Sequence, residues 1–295
     1  MADLTAIILT MNESSNIGDC LRSIKGFIKR AVVVDSGSAD NTIVIARDLG
    51  ADIYEHKFET HARQFNWALD NINIDTKWTL RLDADERLTP GLCEELEYLM
   101  KSHQDSDVNG ITMEAWFYFL GKCIKHGGRK KRKLMIFKTG LGRVEDRKMD
   151  EHTVLLKGHS VATRERFLHY DFRNLDYFIS KLNWYATREM HDYLAWKQGA
   201  SVAIQTDKKI QQTRKKKFGL YYKAPMFWRS RWLFIYNYYF RLGFLDGREG
   251  YIYHFFQCYW YRYLVDAKIY EYETTGAVME ELMALGETAS TRVNI

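Results

Sequence analysis

The sequence predicts an α/β protein, a doubly wound and mostly parallel sheet followed by a basic, aromatic-rich helical extension. Three observations predict it. Short continuous apolar runs recur in the first half of the chain, as strands covered on both faces require. Stretches of helical periodicity separate them, the alternation that produces parallel crossovers. Beyond about residue 205 the chain changes to Lys/Arg clusters and Trp/Tyr/Phe tracts.

The first strand is Thr5-Ala6-Ile7-Ile8-Leu9-Thr10, which runs into Met11-Asn12-Glu13. Ser14 or Ser15 is expected to cap a helix carrying Ile17, Leu21, Ile24 and Ile28 at spacings of three and four. The second strand, Ala31-Val32-Val33-Val34, runs into Asp35-Ser36-Gly37-Ser38. A helix over Thr42 to Leu49 should stop at Gly50, which tolerates the left-handed conformation. A strand from Ala51 to His56, a helix near Ala62 to Asn71, and the strand Trp78 to Leu82 complete a β-α-β-α-β-α-β order.

Each of three strands therefore ends in carboxylates: Glu13, then Asp35, then Asp83 and Asp85. In open α/β sheets ligands bind beyond the carboxyl ends of the strands. Asp83-Ala84-Asp85 offers hard oxygen ligands for a divalent cation and leaves coordination positions open for phosphate oxygens. Polar caps that merely end strands explain each acid singly and explain three together poorly.

The ordered set Ile8 to Glu13 with Ile17 and Leu21, Val33 to Thr42, and Asp83-Ala84-Asp85-Glu86 resembles the family 2 glycosyltransferases over roughly residues 4 to 200. In detail it is most similar to bacterial transferases of lipopolysaccharide core, capsule and O-antigen synthesis. The resemblance implies a GT-A fold and inverting transfer of one sugar from a nucleotide diphosphate sugar, most often a UDP-sugar. It implies that Glu13 and Asp35 meet the nucleobase and ribose, and that Thr10 lines the base pocket through its backbone. Asp83 matches the residue near ribose and metal, and Asp85 the ligand of Mn²⁺ or Mg²⁺ in the DXD motif. Arg63 falls on a helix facing the donor, where it can pair with phosphate; a solvated helix face is the competing use.

Inverting transfer needs a carboxylate to take the acceptor hydroxyl's proton. Within Lys148-Met149-Asp150-Glu151-His152, Glu151 takes the matching position and Asp150 is the alternative. His126-Gly127-Gly128 precedes the basic run Arg129 to Lys133, from which Arg129 and Arg132 are expected on a diphosphate. His169, after Arg166-Phe167-Leu168, is a further metal or diphosphate candidate. The expected division is a catalytic domain over 1–205, with a nucleotide-sugar half (1–105) and an acceptor half (106–205), and a membrane-association region over 206–295.

Leu175 to Trp196 is a helical pattern, and Lys208 to Lys217 a basic segment ahead of the aromatic tracts Trp232 to Phe240 and Gly250 to Tyr261. Neither tract reaches the ~18–20 apolar residues of a spanning helix. Trp and Tyr beside Lys and Arg suit an interfacial helix, so peripheral attachment to the cytoplasmic face of the membrane is expected, with a lipid-linked or core oligosaccharide as acceptor. A helical homo-oligomer interface is the competing use of the same aromatics.

The 295 residues carry a net charge of +5, and the cations cluster rather than spread. The four cysteines lack metal or disulfide spacing, which suits a reducing cytoplasm, and no signal peptide is expected at Ala2-Asp3-Leu4. Two rival classes share the composition. A nucleic-acid binder would combine basic patches with aromatics, but the acidic rim repels a phosphate backbone. A metal-dependent nucleotidyltransferase would want a Gly/Lys-rich phosphate loop after the first strand, where Met11-Asn12-Glu13-Ser14 stands.

Overall fold

The computed structural model describes residues 1–128, 132–145, 152–197, 219 and 221–275. The chain forms two compact units, residues 1–118 with 130–171, and residues 119–129 with 172–295.

The first unit begins β1 (Ala2–Thr10), α1 (Ile17–Ile24), β2 (Ile28–Asp35), α2 (Thr42–Asp48), β3 (Asp52–Glu55), α3 (His61–Asn71) and β4 (Trp78–Asp83). It continues with β5 (Glu86–Arg87), α4 (Pro90–Ser102) and β6 (Val108–Phe119), and, after β7 (Lys122–Ile124) in the second unit, with β8 (Arg132–Lys138). Then come β9 (Gly142–Val144), β10 (Thr153–Leu155) and β11 (His159–His169). The main sheet runs β3-β2-β1-β4-β8-β6-β11-β5. β3, β2, β1 and β4 are mutually parallel, β8 is antiparallel to both neighbours, and β11 is parallel to β6. The expected α/β architecture is present: a mixed, mostly parallel sheet with helices, followed by an aromatic-rich helical region.

The continuous apolar runs have a simple cause. Leu4, Ala6 and Ile8 of β1 enter one core with Ile17, Leu21 and Leu92, while Ile7 and Leu9 enter a second core with Phe65 and Ala68. Both faces of the strand are covered, so no polar alternation is left in it. Two details depart from expectation. The N-cap position of α1 is Asn16, which makes no side-chain capping bond, and Ser14, two residues earlier, donates its backbone N–H to Asp40. Ile28 belongs to β2, because Gly26, at φ +80°, turns the chain out of the helix; Ile24 and Ile28 share a core without sharing a helix.

The second unit contains α5 (Leu175–Lys197), α6 (Trp228–Ile235), wide helical turns over Tyr236–Phe240, a tight turn at Gly243–Asp246, α7 (Gly247–His254), further wide turns over Phe255–Trp260, and α8 (Tyr261–Thr275). Phe178, Leu182, Met190, Tyr253, Tyr261 and Val265 form its core. Two charges are buried there with partners. Arg229 donates to Asp266, and Glu189 accepts from Tyr222, Tyr261 and Arg262. Leu175, at the first turn of α5, is exposed, while Phe178, Leu182 and Met190 further along the helix are buried. The expected basic segment 208–217 lies outside the described residues.

Candidate active site

The site lies where β1, β2 and β4 end together. Register sets Thr10 beside Asp35 and Leu9 beside Asp83, so the acidic residues share one rim because their strands are in parallel register. Asp35 is fully buried. One carboxylate oxygen accepts from the hydroxyls of Thr10 and Ser38, and the other from the backbone N–H groups of Gly37 and Ser38. These four bonds fix the Ser36–Ser38 loop at the rim. A nucleotide hydrogen bond to Asp35 must share or replace one of them. Asn12 sits at φ +54°, and its side chain accepts from Ala39 N–H, tying the first rim loop to the second. Half-buried Glu13 accepts from Asn16 at 2.9 Å.

The third rim loop contributes to a group of side chains that could hold a metal ion. After Asp83 the chain turns through Ala84 and Asp85 into the short strand β5, which pairs with the end of β11: Glu86 lies opposite His169 and Arg87 opposite Leu168. Tyr170 N–H donates to the Asp85 carbonyl at 2.8 Å. This pairing brings His169 Nε2 to 3.3 Å from Asp85 Oδ2, and Asp171 follows one residue beyond Tyr170. One ligand atom from each of Asp85, His169 and Asp171 lies within 4.8 Å of the others. An octahedral ion held at ~2.1 Å has ligands about 3–4 Å apart, so the three fit a cation after a small contraction. Two carboxylates and one imidazole suit Mn²⁺ or Mg²⁺. His169 Nδ1 is buried and has no hydrogen-bond partner among the described residues, while Nε2 faces the Asp85 carboxylate, which accepts its proton.

Lys133 pairs with two of the acids at the rim. Lys133 Nζ lies 2.8 Å from Glu86 and 3.6 Å from Asp83, and Glu86 also accepts from Asp83 N–H at 3.0 Å. Burial pushes the Glu86 carboxyl up despite Lys133. Burial also works against ionised Asp83, but Lys133 and Arg81 outweigh it and hold that carboxyl below its ordinary value. At His169, burial opposes the cation and the Asp85 carboxylate outweighs it, so the imidazole titrates above its ordinary value.

The expected residues divide accordingly. Thr10, Glu13, Asp35, Asp83 and Asp85 stand on the strand ends and the loops that follow them, and His169 joins Asp85. Arg63, in the first turn of α3, is exposed and paired with Glu59 at 2.7 Å. Arg132 bonds Glu114 at 3.1 Å, on the opposite sheet face from its neighbour Lys133. Lys133, not Arg132, is therefore the cation that reaches the acidic rim. Gly127 and Gly128 do permit close approach, but by His254 and Arg241 of their own unit. Arg129, Asp150 and Glu151 lie outside the described residues. Asp171 and Lys133 were missed from the sequence. The signals were there: Asp171 stands two residues beyond His169, and strand alternation separates Lys133 from Arg132.

Residues 5–149 match the family model described as "Glycosyl transferase family 2". The chain carries a glycosyltransferase family 2 domain. Relatives that cover more than two thirds of the chain are named glycosyltransferases. The lipopolysaccharide core biosynthesis glycosyltransferase LpsC of Rhizobium meliloti is 26% identical over 280 residues, covering 91% of this chain and 92% of that protein. An uncharacterized glycosyltransferase of Rickettsia felis is 26% identical over 214 residues, covering 69% and 74%. Among solved structures, glucosyl-3-phosphoglycerate synthase of Mycobacterium tuberculosis, in complex with Mn²⁺, UDP and glucosyl-3-phosphoglycerate, aligns at 16% identity and a TM-score of 0.31, over 39% of this chain and 44% of that one. The family 2 domain and the relatives named glycosyltransferases make this chain a glycosyltransferase. The matched span contains Asp83 and Asp85 but stops short of Asp150, Glu151 and His169.

Proposed function

We propose that the protein transfers a single sugar, with inversion at the anomeric carbon, from a nucleotide diphosphate sugar to a glycan acceptor. The preferred donor is a UDP-sugar. The acceptor is a lipid-linked or core oligosaccharide of bacterial surface-polysaccharide synthesis, met at the cytoplasmic face of the membrane, with the protein peripheral to it. The observation that carries the reading is the convergence of Asp85, His169 and Asp171 within 4.8 Å on the acidic rim of a family 2 domain. The acceptor class draws support from LpsC, the lipopolysaccharide core relative that spans 91% of this chain.

Asp85, His169 and Asp171, with Asp83 alongside, are the residues that would hold Mn²⁺ or Mg²⁺; the bound ion supplies neutralisation of charge on the leaving diphosphate. Lys133 keeps Asp83 ionised beside them. Glu13 and the loop built on Thr10 and Asp35 offer acceptors and backbone groups to the nucleoside. Glu151, with Asp150 as the alternative, takes the proton of the acceptor hydroxyl as its oxygen attacks from the face opposite the diphosphate.

The test is donor hydrolysis across a set of nucleotide sugars with Mn²⁺ or Mg²⁺. Slow, metal-dependent release of UDP from one donor, absent in Asp85→Ala, is the expected result. Release that proceeds equally in EDTA overturns the metal assignment. Release of pyrophosphate or nucleoside monophosphate moves the protein to nucleotidyl transfer.

A further inference from the structure

Helix α6 and its continuation are built inside out. The residues turned into the second unit are polar: Arg229, 2% exposed, Ser230 and Asn237 are all buried. Arg229 is held there by Asp266 at 2.8 Å, Ser230 bonds the Phe227 carbonyl, and Asn237 bonds the Leu233 carbonyl. The residues turned outward are Trp228, Trp232, Ile235, Tyr236, Tyr239 and Phe240, with Phe240 75% exposed. Their spacings of three and four form one stripe on the helix. Leu242, Phe244 and Leu245 extend it, also exposed. A helix at a protein–water boundary buries the apolar stripe and wets the polar one. Here the order is reversed, and an apolar patch of this size marks an interaction surface.

Charge selects the occupant. From Tyr221 to Arg248 the only acid is Asp246, and it is buried against His126 at 2.7 Å. Arg231, Arg241 and Arg248 on the same tract are exposed. Two copies meeting through this face about a two-fold axis would bring the same arginines together without counter-charges. An anionic lipid surface satisfies both features: aromatic rings rest at headgroup level and the guanidinium groups meet phosphate. A shallow groove beside the stripe, lined by Arg231, Phe234, Ile235, Tyr251, Phe255 and Tyr259, repeats the combination of one cation with apolar walls.

We propose that Trp228 to Leu245 is a lipid-docking face that seats the protein on an anionic bilayer surface, with Trp232, Tyr239 and Phe240 inserting and Arg231 and Arg248 reading the headgroup charge. It deepens the membrane-borne acceptor reading and rests on that reading only for its purpose. Vesicle binding needs neither donor nor metal, so the failure of either proposal is distinguishable from the failure of the other.

The experiment is co-sedimentation of the full chain with phosphatidylcholine vesicles, with and without phosphatidylglycerol. Binding to the anionic vesicles that weakens with salt is expected. The triple variant Trp232→Ser, Tyr239→Ser, Phe240→Ser should bind at least ~10-fold more weakly, because three large apolar surfaces no longer leave water. Its unchanged thermal unfolding guards against a folding defect, since all three side chains are exposed. The pair Arg231→Gln, Arg248→Gln should lose the preference for phosphatidylglycerol instead. A triple variant that sediments like wild type overturns the proposal. So does a wild type that stays in solution, whether or not it forms dimers through this face.

Discussion

His169, the last residue of β11, holds its Nε2 3.3 Å from the carboxylate of Asp85, a residue 84 positions earlier in the chain. The approach depends on a two-residue strand: Glu86–Arg87 pairs antiparallel to the end of β11 and carries Asp85 alongside. The Asp83–Asp85 loop thus meets the end of β11, and Asp171 arrives with it.

Asp171 should matter as much as His169. We expect Asp85→Asn, His169→Ala and Asp171→Asn each to weaken Mn²⁺ binding by at least ~10-fold, measured by isothermal titration with the metal alone. UDP should then stabilise these variants against heat no better with Mn²⁺ than without it. Wild-type Mn²⁺ affinity in Asp171→Asn would remove that residue from the site.

The proposed base, Glu151, is tested separately. Glu151→Gln should leave UDP binding intact while turnover falls by about 10²–10⁴-fold, the usual worth of a general base. Asp150→Asn should fall less. The opposite ranking in steady-state kinetics would transfer the role by one residue.

Much of this was legible because parallel strands covered on both faces write themselves as continuous apolar runs. Ile7-Ile8 and Val32-Val33-Val34 marked the first strands, and parallel register then put Asp35 and Asp83 on one rim, with Glu13 in the loop that leaves β1. Two-residue β5 has no sequence signature, so the partnership of Asp85 with His169 and Asp171 was readable only in its separate pieces. The run Arg129 to Lys133 looked uniformly basic until alternation along β8 sent Arg132 to Glu114 and Lys133 to Glu86. Ile28 was misread because a period of four does not reveal that Gly26 has already ended the helix.

The glycine pair ahead of that run should prove structural. Gly127 has φ +79°, and a Cβ there would lie 1.9 Å from the ring of His254. Gly121, in the same unit, has nearly the same φ of +77° with nothing within 4 Å. Gly121→Ala should therefore cost only the left-handed strain, about 1–2 kcal/mol, and Gly127→Ala clearly more. Equal midpoints for the two variants in urea unfolding would mean that His254 moves aside freely.

Lys133 and Glu86 form the coupling most exposed to a direct test. Removing one partner of a fully buried pair costs about 3–5 kcal/mol. Lys133 is 40% exposed while Glu86 is 1% exposed, so water recovers part of the loss and Lys133→Met should cost about 1–3 kcal/mol at neutral pH. Glu86 already titrates above its ordinary 4.5, with burial the main cause, and losing the ammonium raises it further. A carboxyl with a raised folded value binds more protons folded than unfolded, so its contribution to stability falls as pH rises through that value. Asp83, which Lys133 helps to hold low, moves in the same direction when the lysine is gone. The deficit of Lys133→Met should thus be largest at neutral pH and shrink as pH falls toward about 4.5, in urea titrations run beside wild type. Adding Glu86→Gln should restore most of the stability at neutral pH, since the buried charge is then gone. A deficit that does not change with pH and survives Glu86→Gln would assign the loss to the packing of the lysine stem rather than to charge.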